Sequence, residues 1–91
     1  MSPQVVEIRL APLLHLYTGG IAVAQGQGGT LGAVFDDLDR QYPGIRFRLV
    51  DEQDRLRRHV RCFVNETDAR DMATELRPGD RIFLVGALSG G

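Results

Sequence analysis

Gly90 and Gly91, the last two residues of the sequence, have the clearest chemical potential in the chain. They follow an apolar, strand-like run at residues 81–85 and a short stretch that includes Leu88 and Ser89. Glycine adds no side chain to a core and loses more backbone entropy on folding than other residues, so the pair is unfavourable as structure. A backbone without Cβ atoms can instead pass through a narrow channel and present the α-carboxylate of Gly91 to another protein. We therefore expect the α-carboxylate of Gly91 to be the functional group, with a frayed terminus as the alternative.

Side chains that could make the protein an enzyme or a metal protein are sparse. His15, His59 and Cys62 are its only His and Cys residues, and their spacing matches no zinc motif, so no metal site is expected. One cysteine cannot form an internal disulfide or hold an iron–sulfur cluster of the four-cysteine type. No nucleophile, base and acid are grouped as catalysis would require, so the protein is not expected to be an enzyme.

Composition narrows the class of protein further. The 91 residues are enough for one domain, and a net charge of −1 does not indicate nucleic-acid binding. All 11 basic residues are arginine, which excludes a lysine Schiff base and a lysine-containing phosphate loop. No apolar run reaches the length of a membrane span, and the first residues do not form a signal peptide. A cytoplasmic protein that contacts no membrane is therefore expected.

The first half of the sequence predicts two strands and one helix. Residues 5–10 alternate between apolar and polar types, and residues 21–24 are a short apolar run, so both are expected to be strands. The glycine-rich residues 25–29 are expected to be a break between the second strand and the helix. Thr30 is a suitable N-cap, and Pro43-Gly44 ends the helix. The helix is predicted from apolar residues at helical spacing, namely Leu31, Val34, Phe35, Leu38 and Tyr42.

The second half predicts two more strands. Residues 45–58 are loop-like, residues 59–65 alternate as a strand does, residues 71–76 suggest a helical turn, and residues 77–80 form a turn before the last strand. A helix that crosses a small mixed sheet is the economical packing for this order. The expected fold is therefore α+β, a ubiquitin-like β-grasp whose first and last strands are parallel neighbours at the centre of the sheet.

A sheet with one helix has one uncovered face, and strand alternation places particular residues on it. If Cys62 and Leu84 face the core, then Phe63, Phe83 and Val85 face outward and form an apolar patch that is typical of an interface. The alternative is the inverse alternation, with both phenylalanines in the core. Neighbouring arginines form either a charged rim for an acidic partner or a solvated loop, and these are Arg55, Arg57, Arg58 and Arg61. The predicted partner-binding residues are Phe63, Phe83, Val85 and Arg61.

The chain resembles the bacterial sulfur carriers of the ThiS/MoaD family over nearly its whole length. The resemblance rests on Gly79-Asp80, Ile82, Leu84 and Ala87-Leu88-Ser89-Gly90-Gly91, together with Thr30-Leu31-Gly32-Ala33-Val34 and Val64-Asn65. The terminal glycines alone are a weak signal, but at this distance from the Gly-Asp turn and the last strand they are specific. Similarity to the CysO-like subgroup rests on Thr18-Gly19-Gly20, Tyr42-Pro43-Gly44-Ile45, His59-Val60 and Phe63-Val64-Asn65.

The resemblance implies a carrier that binds no cofactor itself. A ThiF/MoeB-like adenylating enzyme would use ATP to join AMP to the Gly91 carboxylate, and a sulfur donor would displace AMP to leave a thiocarboxylate. Leu88, Ser89 and Gly90 would thread into the partner's active site. A synthase of the cysteine-synthase, thiazole-synthase or molybdopterin-synthase type would accept the sulfur, for cysteine, cofactor or thio-metabolite biosynthesis. The implied division is a β-grasp domain over residues 1–86 and a flexible tail over residues 87–91.

Two other functions would use the same features. A ubiquitin-like modifier would pass through the same acyl-adenylate at Gly91 but would end in an isopeptide bond to a target lysine. A non-catalytic β-grasp binding module would not need Gly90-Gly91 at all. The product mass separates the first two functions, and removal of the two glycines separates the third.

Overall fold

Five strands form one mixed sheet in the computed structural model, which describes residues 5–86. The strand order across the sheet is β2-β1-β5-β3-β4, and β1 pairs with β5 in parallel at the centre while the outer pairs are antiparallel. The strands are β1 (Val5–Leu10), β2 (Val23–Gln27), β3 (Val60–Val64), β4 (Thr67–Asp68) and β5 (Arg81–Gly86). The predicted α+β β-grasp, with its first and last strands adjacent and parallel, is confirmed.

The main helix, α1 (Leu31–Gln41), covers one face of this sheet. It begins where predicted, because the Thr30 hydroxyl accepts a hydrogen bond from the Ala33 N–H at 3.2 Å. Its buried residues lie at helical spacing and pack against the inward side chains of β1, β3 and β5. The core formed in this way includes Val6, Ile8, Leu31, Val34, Phe35, Leu38, Cys62, Ile82 and Leu84.

Strand β2 starts two residues later than the sequence predicts and includes three of the five residues of the expected glycine-rich break. Ile21 is exposed and precedes the strand, whereas Gly26 is buried within it. A Cβ at Gly26 would lie 2.9 Å from both Ile8 Cδ1 and Val34 Cγ1. This glycine therefore allows α1 to approach β2 closely and does not mark a turn, which is why the prediction of a break at residues 25–27 is wrong.

A second, short helix, α2 (Ile45–Leu49), replaces part of the predicted loop over residues 45–58. One carboxylate oxygen of Asp39, in α1, accepts hydrogen bonds from the Gly44 and Arg46 N–H groups, both at 3.0 Å. Arg46 in turn forms ion pairs with Asp36 at 2.7 Å and Asp54 at 2.9 Å. These contacts come from outside the segment, so local sequence patterns do not reveal the helix.

Residues 71–76 form a hydrogen-bonded turn and not the expected helical turn. The Asp71 carboxylate accepts from the Ala73 N–H at 2.8 Å. Carbonyl groups of Met72 and Thr74 accept the N–H groups of Gly32 and Leu31, both at 2.9 Å. The segment therefore satisfies the free donors at the start of α1 and does not close a helix of its own.

The long connection between β1 and β2 contains a 3₁₀ helix at Pro12–Tyr17. It packs against the end of β5 through the buried side chain of Leu14. No helix in the described residues 5–86 is long and apolar enough to cross a membrane.

Candidate functional site

The central strand β5 fixes the point from which the last residues of the chain depart. Its final residue, Gly86, is buried and pairs with Val60 of β3. A Cβ at Gly86 would lie 3.1 Å from Leu14 Cδ2 in the 3₁₀ helix, so this helix packs closely on the end of β5. The predicted attachment residue, Gly91, and the threading residues Leu88, Ser89 and Gly90 lie outside the described residues, and their roles stay predictions.

The opposite end of β5 is fixed by a hydrogen-bonded pair, Asn65 and Asp80. The Asp80 carboxylate accepts from the Arg77 N–H at 2.8 Å and from the Asn65 side-chain amide at 3.1 Å. The Asn65 side-chain oxygen accepts from the Arg81 N–H at 3.0 Å, and the Asn65 N–H donates to the Arg81 carbonyl at 2.7 Å. The bonds of Asn65 join the end of β3 to the start of β5, and the bond between Arg77 and Asp80 closes the turn before β5.

Electrostatics at this junction favour the ionised carboxylate. The N–H of Arg77 and then the amide of Asn65 lower the pKa of Asp80 below its ordinary value. Asn65 itself adopts a left-handed conformation, with φ of 59°, which asparagine tolerates better than most residues. Turn signals and the family resemblance both pointed to these residues, but the bond between them was not predicted, because they lie 15 positions apart.

The uncovered face of the sheet holds the four predicted partner-binding residues. Phe63 of β3 lies directly opposite Phe83 of β5, and Arg61 lies opposite Val85. Cys62 and Leu84 point into the core, so the outward alternation predicted for their neighbours is the one observed. Val85 is 40% exposed, whereas both phenylalanines are half-buried. The patch is therefore less exposed than expected, and its role in binding stays a prediction.

Charged side chains border this aromatic pair. Arg9 of β1 lies beside Phe83 and forms an ion pair with Glu7 at 2.7 Å, while Arg61 lies 3.9 Å from Asp68. The hydrogen bond from Arg9 lowers the pKa of Glu7. Because both pairs are partly exposed, they contribute little to stability and mainly define the electrostatic border of the face.

The remaining arginines of the basic stretch are largely engaged within the chain. The Arg57 guanidinium donates to the Phe47 carbonyl at 2.6 Å and lies 4.6 Å from the centre of the Phe47 ring. Arg55 donates to the Gln53 side-chain oxygen at 2.9 Å. These two side chains therefore stabilise the loop locally, whereas Arg58 is exposed.

The only thiol of the chain is buried and is therefore unreactive. Cys62 is fully buried in β3, and burial, followed by the charge of Asp68, raises its pKa to about 12. His15 places Nε2 2.8 Å from the Leu10 carbonyl and supports the first connection. Within residues 5–86, no group of three or more His, Cys, Asp or Glu side chains could hold a metal ion.

The sheet order, the single crossing helix and the parallel central strands define a ubiquitin-like β-grasp protein whose last strand ends at the sheet centre. Residues 15–91 match the model of the ThiS family, and the chain belongs to this family. The match extends to the last residue, so it includes the terminal glycines that the structure leaves undescribed.

The chain is similar to proteins of the CysO type, in agreement with the subgroup expected from the sequence. It is 36% identical over 91 residues to the sulfur carrier protein CysO of Mycobacterium tuberculosis H37Rv, covering 94% of this chain and 98% of that protein. The crystal structure of Mycobacterium tuberculosis CysO superposes with a TM-score of 0.83 at 34% identity, covering 91% and 99% of the two chains. A chain in the crystal structure of the Amycolatopsis orientalis BexX/CysO complex gives 0.84 at 29% identity, covering 94% and 99%.

Proposed function

We propose that this protein is a sulfur carrier whose Gly91 carboxylate is adenylated and then converted to a thiocarboxylate. The observation that carries the proposal is the ThiS family match, which runs through Gly91 itself. Similarity to proteins named as the sulfur carrier CysO supports the same role. The central position of β5 adds a structural reason, because a strand held on both sides gives the tail a fixed origin.

The chemistry of the tail explains why a partner enzyme is needed. A carboxylate is a poor acyl donor, since its leaving group would be oxide. A ThiF/MoeB-like enzyme would form the Gly91 acyl-adenylate from ATP and release pyrophosphate. A sulfide equivalent would then attack the carbonyl carbon, form the C–S bond and expel AMP. This protein would bind no ATP and would act as the substrate, and a synthase of the cysteine, thiazole or molybdopterin type would accept the sulfur.

The proposed division of labour places folding in residues 1–86 and chemistry in residues 87–91. Five extended residues span at most about 16–18 Å. That length lets Leu88, Ser89 and Gly90 enter a partner's active site while the sheet stays outside. Gly90 and Gly91 have no side chains, so this part of the tail would fit a channel too narrow for a residue with a Cβ.

The experiment uses the full chain, its purified adenylating enzyme, ATP and a sulfur donor, with intact mass as the readout. We expect a product heavier by one sulfur minus one oxygen. Deletion of Gly91 and the Gly90→Val variant should abolish or impair this conversion, because valine stiffens and widens the tail. An isopeptide-linked product would identify a protein modifier instead. Normal sulfur loading without Gly91 would contradict the proposal.

A further inference from the structure

The 3₁₀ helix at Pro12–Tyr17 exposes large apolar side chains on an ordered segment. Leu16 is 84% exposed, Leu13 is 42% exposed and Tyr17 is 37% exposed. The segment is held in place by the buried Thr18, whose hydroxyl donates to the Ile21 carbonyl at 2.8 Å. Adjacent exposed apolar residues on an ordered framework are typical of an interaction surface. We call Leu13, Leu16 and Tyr17 the apolar edge.

The apolar edge lies beside the origin of the tail. The Ala11 N–H donates to the Leu84 carbonyl at 2.9 Å, which ties the start of the 3₁₀ helix to the end of β5. A Cβ at Gly86 would lie 4.0 Å from Leu13 Cβ. Any protein that draws the tail into a channel must therefore bring the rim of that channel against these residues.

The charge distribution indicates what kind of surface fits there. No aspartate or glutamate occurs between Glu7 and Asp36, so the apolar edge and both of its flanking segments carry no carboxylate. The Arg48 guanidinium of α2 lies 5.3 Å from the centre of the Tyr17 ring and adds a positive charge. A complementary surface would present an apolar pocket bordered by carboxylates.

We propose that the apolar edge docks on the adenylating enzyme, in an apolar pocket with an acidic border at the mouth of the channel that receives the tail. This inference rests on the proposed function, which supplies the partner. The tail reaches at most about 16–18 Å beyond Gly86, so the channel mouth lies close to the 3₁₀ helix throughout adenylation. The apolar edge is a contact separate from the open sheet face that carries Phe63 and Phe83.

The test compares a variant of the apolar edge with a control variant at an exposed apolar residue at the opposite end of the sheet. One variant combines Leu13→Ser with Leu16→Ser. The control is Val5→Ser, because Val5 is 37% exposed at the start of β1, at the end of the sheet away from Gly86. The probe is a purified ThiF/MoeB-like enzyme from the same organism. Biolayer interferometry without ATP measures the Kd, and release of pyrophosphate measures adenylation.

We expect the double variant to raise the Kd and the KM for the carrier at least tenfold, with kcat and Tm close to those of the unsubstituted protein. The control should stay within about twofold, because non-interface surface positions contribute little to binding. A double variant with an unchanged Kd overturns the inference even if sulfur loading is normal. If the unsubstituted protein binds through this edge but is never adenylated, the proposed function fails and the docking surface stands; if it does not bind, both fail.

A second arm tests the acidic border. Arg48→Glu should raise the Kd severalfold and reduce the dependence of the association rate on salt, since it removes an attraction that ions screen. Arg77→Glu is the matched control, because this exposed arginine lies in the turn before β5, at the far end of the strand from Gly86. Equal effects of the two substitutions would show a general charge effect and would contradict the acidic border.

Discussion

Asp80 shows how a single half-buried carboxylate can hold the start of a strand in place. It accepts hydrogen bonds from the Arg77 N–H and the Asn65 amide, and Asn65 bonds in turn to both backbone polar groups of Arg81. Three of these bonds connect the end of β3 to the start of β5, which are neighbours in the sheet but distant in sequence, and the bond from Arg77 closes the turn before β5. Loss of either side chain would remove two of the three side-chain bonds at this junction.

We predict that Asp80→Ala lowers the free energy of unfolding by about 1–2 kcal/mol, as expected for the loss of two exposed hydrogen bonds to a charged acceptor. Asn65→Ala should cost more, because alanine tolerates the left-handed backbone at this position less well than asparagine. The double variant should cost less than the sum, because the two side chains bond to each other. Chemical denaturation of the four proteins measures the coupling. Additive effects would separate the two residues, and lost adenylation with full stability would assign Asp80 to partner recognition.

The Asp80 carboxylate should also make the stability of the protein depend on pH. Its pKa is lower in the folded protein than in the unfolded chain. Its contribution to stability is therefore complete above the unfolded pKa and is lost as the pH falls through the folded pKa. The difference in Tm between the unsubstituted protein and Asp80→Ala should be constant from neutral pH down to about pH 5 and should shrink below about pH 4. A difference that grows on acidification would contradict this sign.

The pair formed by Phe63 and Phe83 yields a third prediction at this scale. Phe63→Ala should weaken binding to the adenylating enzyme at least tenfold, because aromatic residues are frequent anchors of interfaces. Its stability loss should stay below the 3–5 kcal/mol that is typical of a core phenylalanine, since the side chain is half-buried. Gln25→Ala, on the exposed edge strand β2, is the control. Unchanged binding would remove Phe63 from the interface.

At the scale of elements, Gly26 of β2 allows α1 to pack closely against this strand. A Cβ at Gly26 would press on Ile8 and Val34, both fully buried. We predict that Gly26→Ala costs about 1–3 kcal/mol through overpacking, measured as a lower Tm. Gly29→Ala is the control, because a Cβ there would meet nothing within 4 Å. An equal or higher Tm for Gly26→Ala would mean that the helix can move outward freely.

Elements whose signals are local were predictable from the sequence, and those that depend on distant partners were not. Strand β1, strand β5 and helix α1 have clear periodicity, and Thr30 marks the start of α1. Helix α2 depends on the Asp39 carboxylate six positions before it, and the turn at residues 71–76 depends on the free N–H groups of α1. Single-sequence patterns contain no information about such contacts until the fold is known.

At the scale of the whole molecule, the order of elements was sufficient to predict the β-grasp, since few sheets accommodate one crossing helix in this order. The chemistry of the terminal glycines and the family resemblance singled out Gly91. The apolar edge was missed, because exposure of Leu13 and Leu16 follows from how the 3₁₀ helix packs on β5. In an irregular segment of this kind, the sequence alone does not show which apolar residues are exposed and which are buried.

Under the proposed function, the burial of Cys62 would protect the carrier from the acyl-adenylate at its own C-terminus. An acyl-adenylate reacts with thiolates and amines and expels AMP, yet the one thiol of this chain is buried with its pKa raised to about 12. The sequence also contains no lysine amine on any surface. Carrier molecules with an activated C-terminus would therefore resist cyclisation and cross-linking through side chains. The stored acyl group would survive until an enzyme supplies the nucleophile.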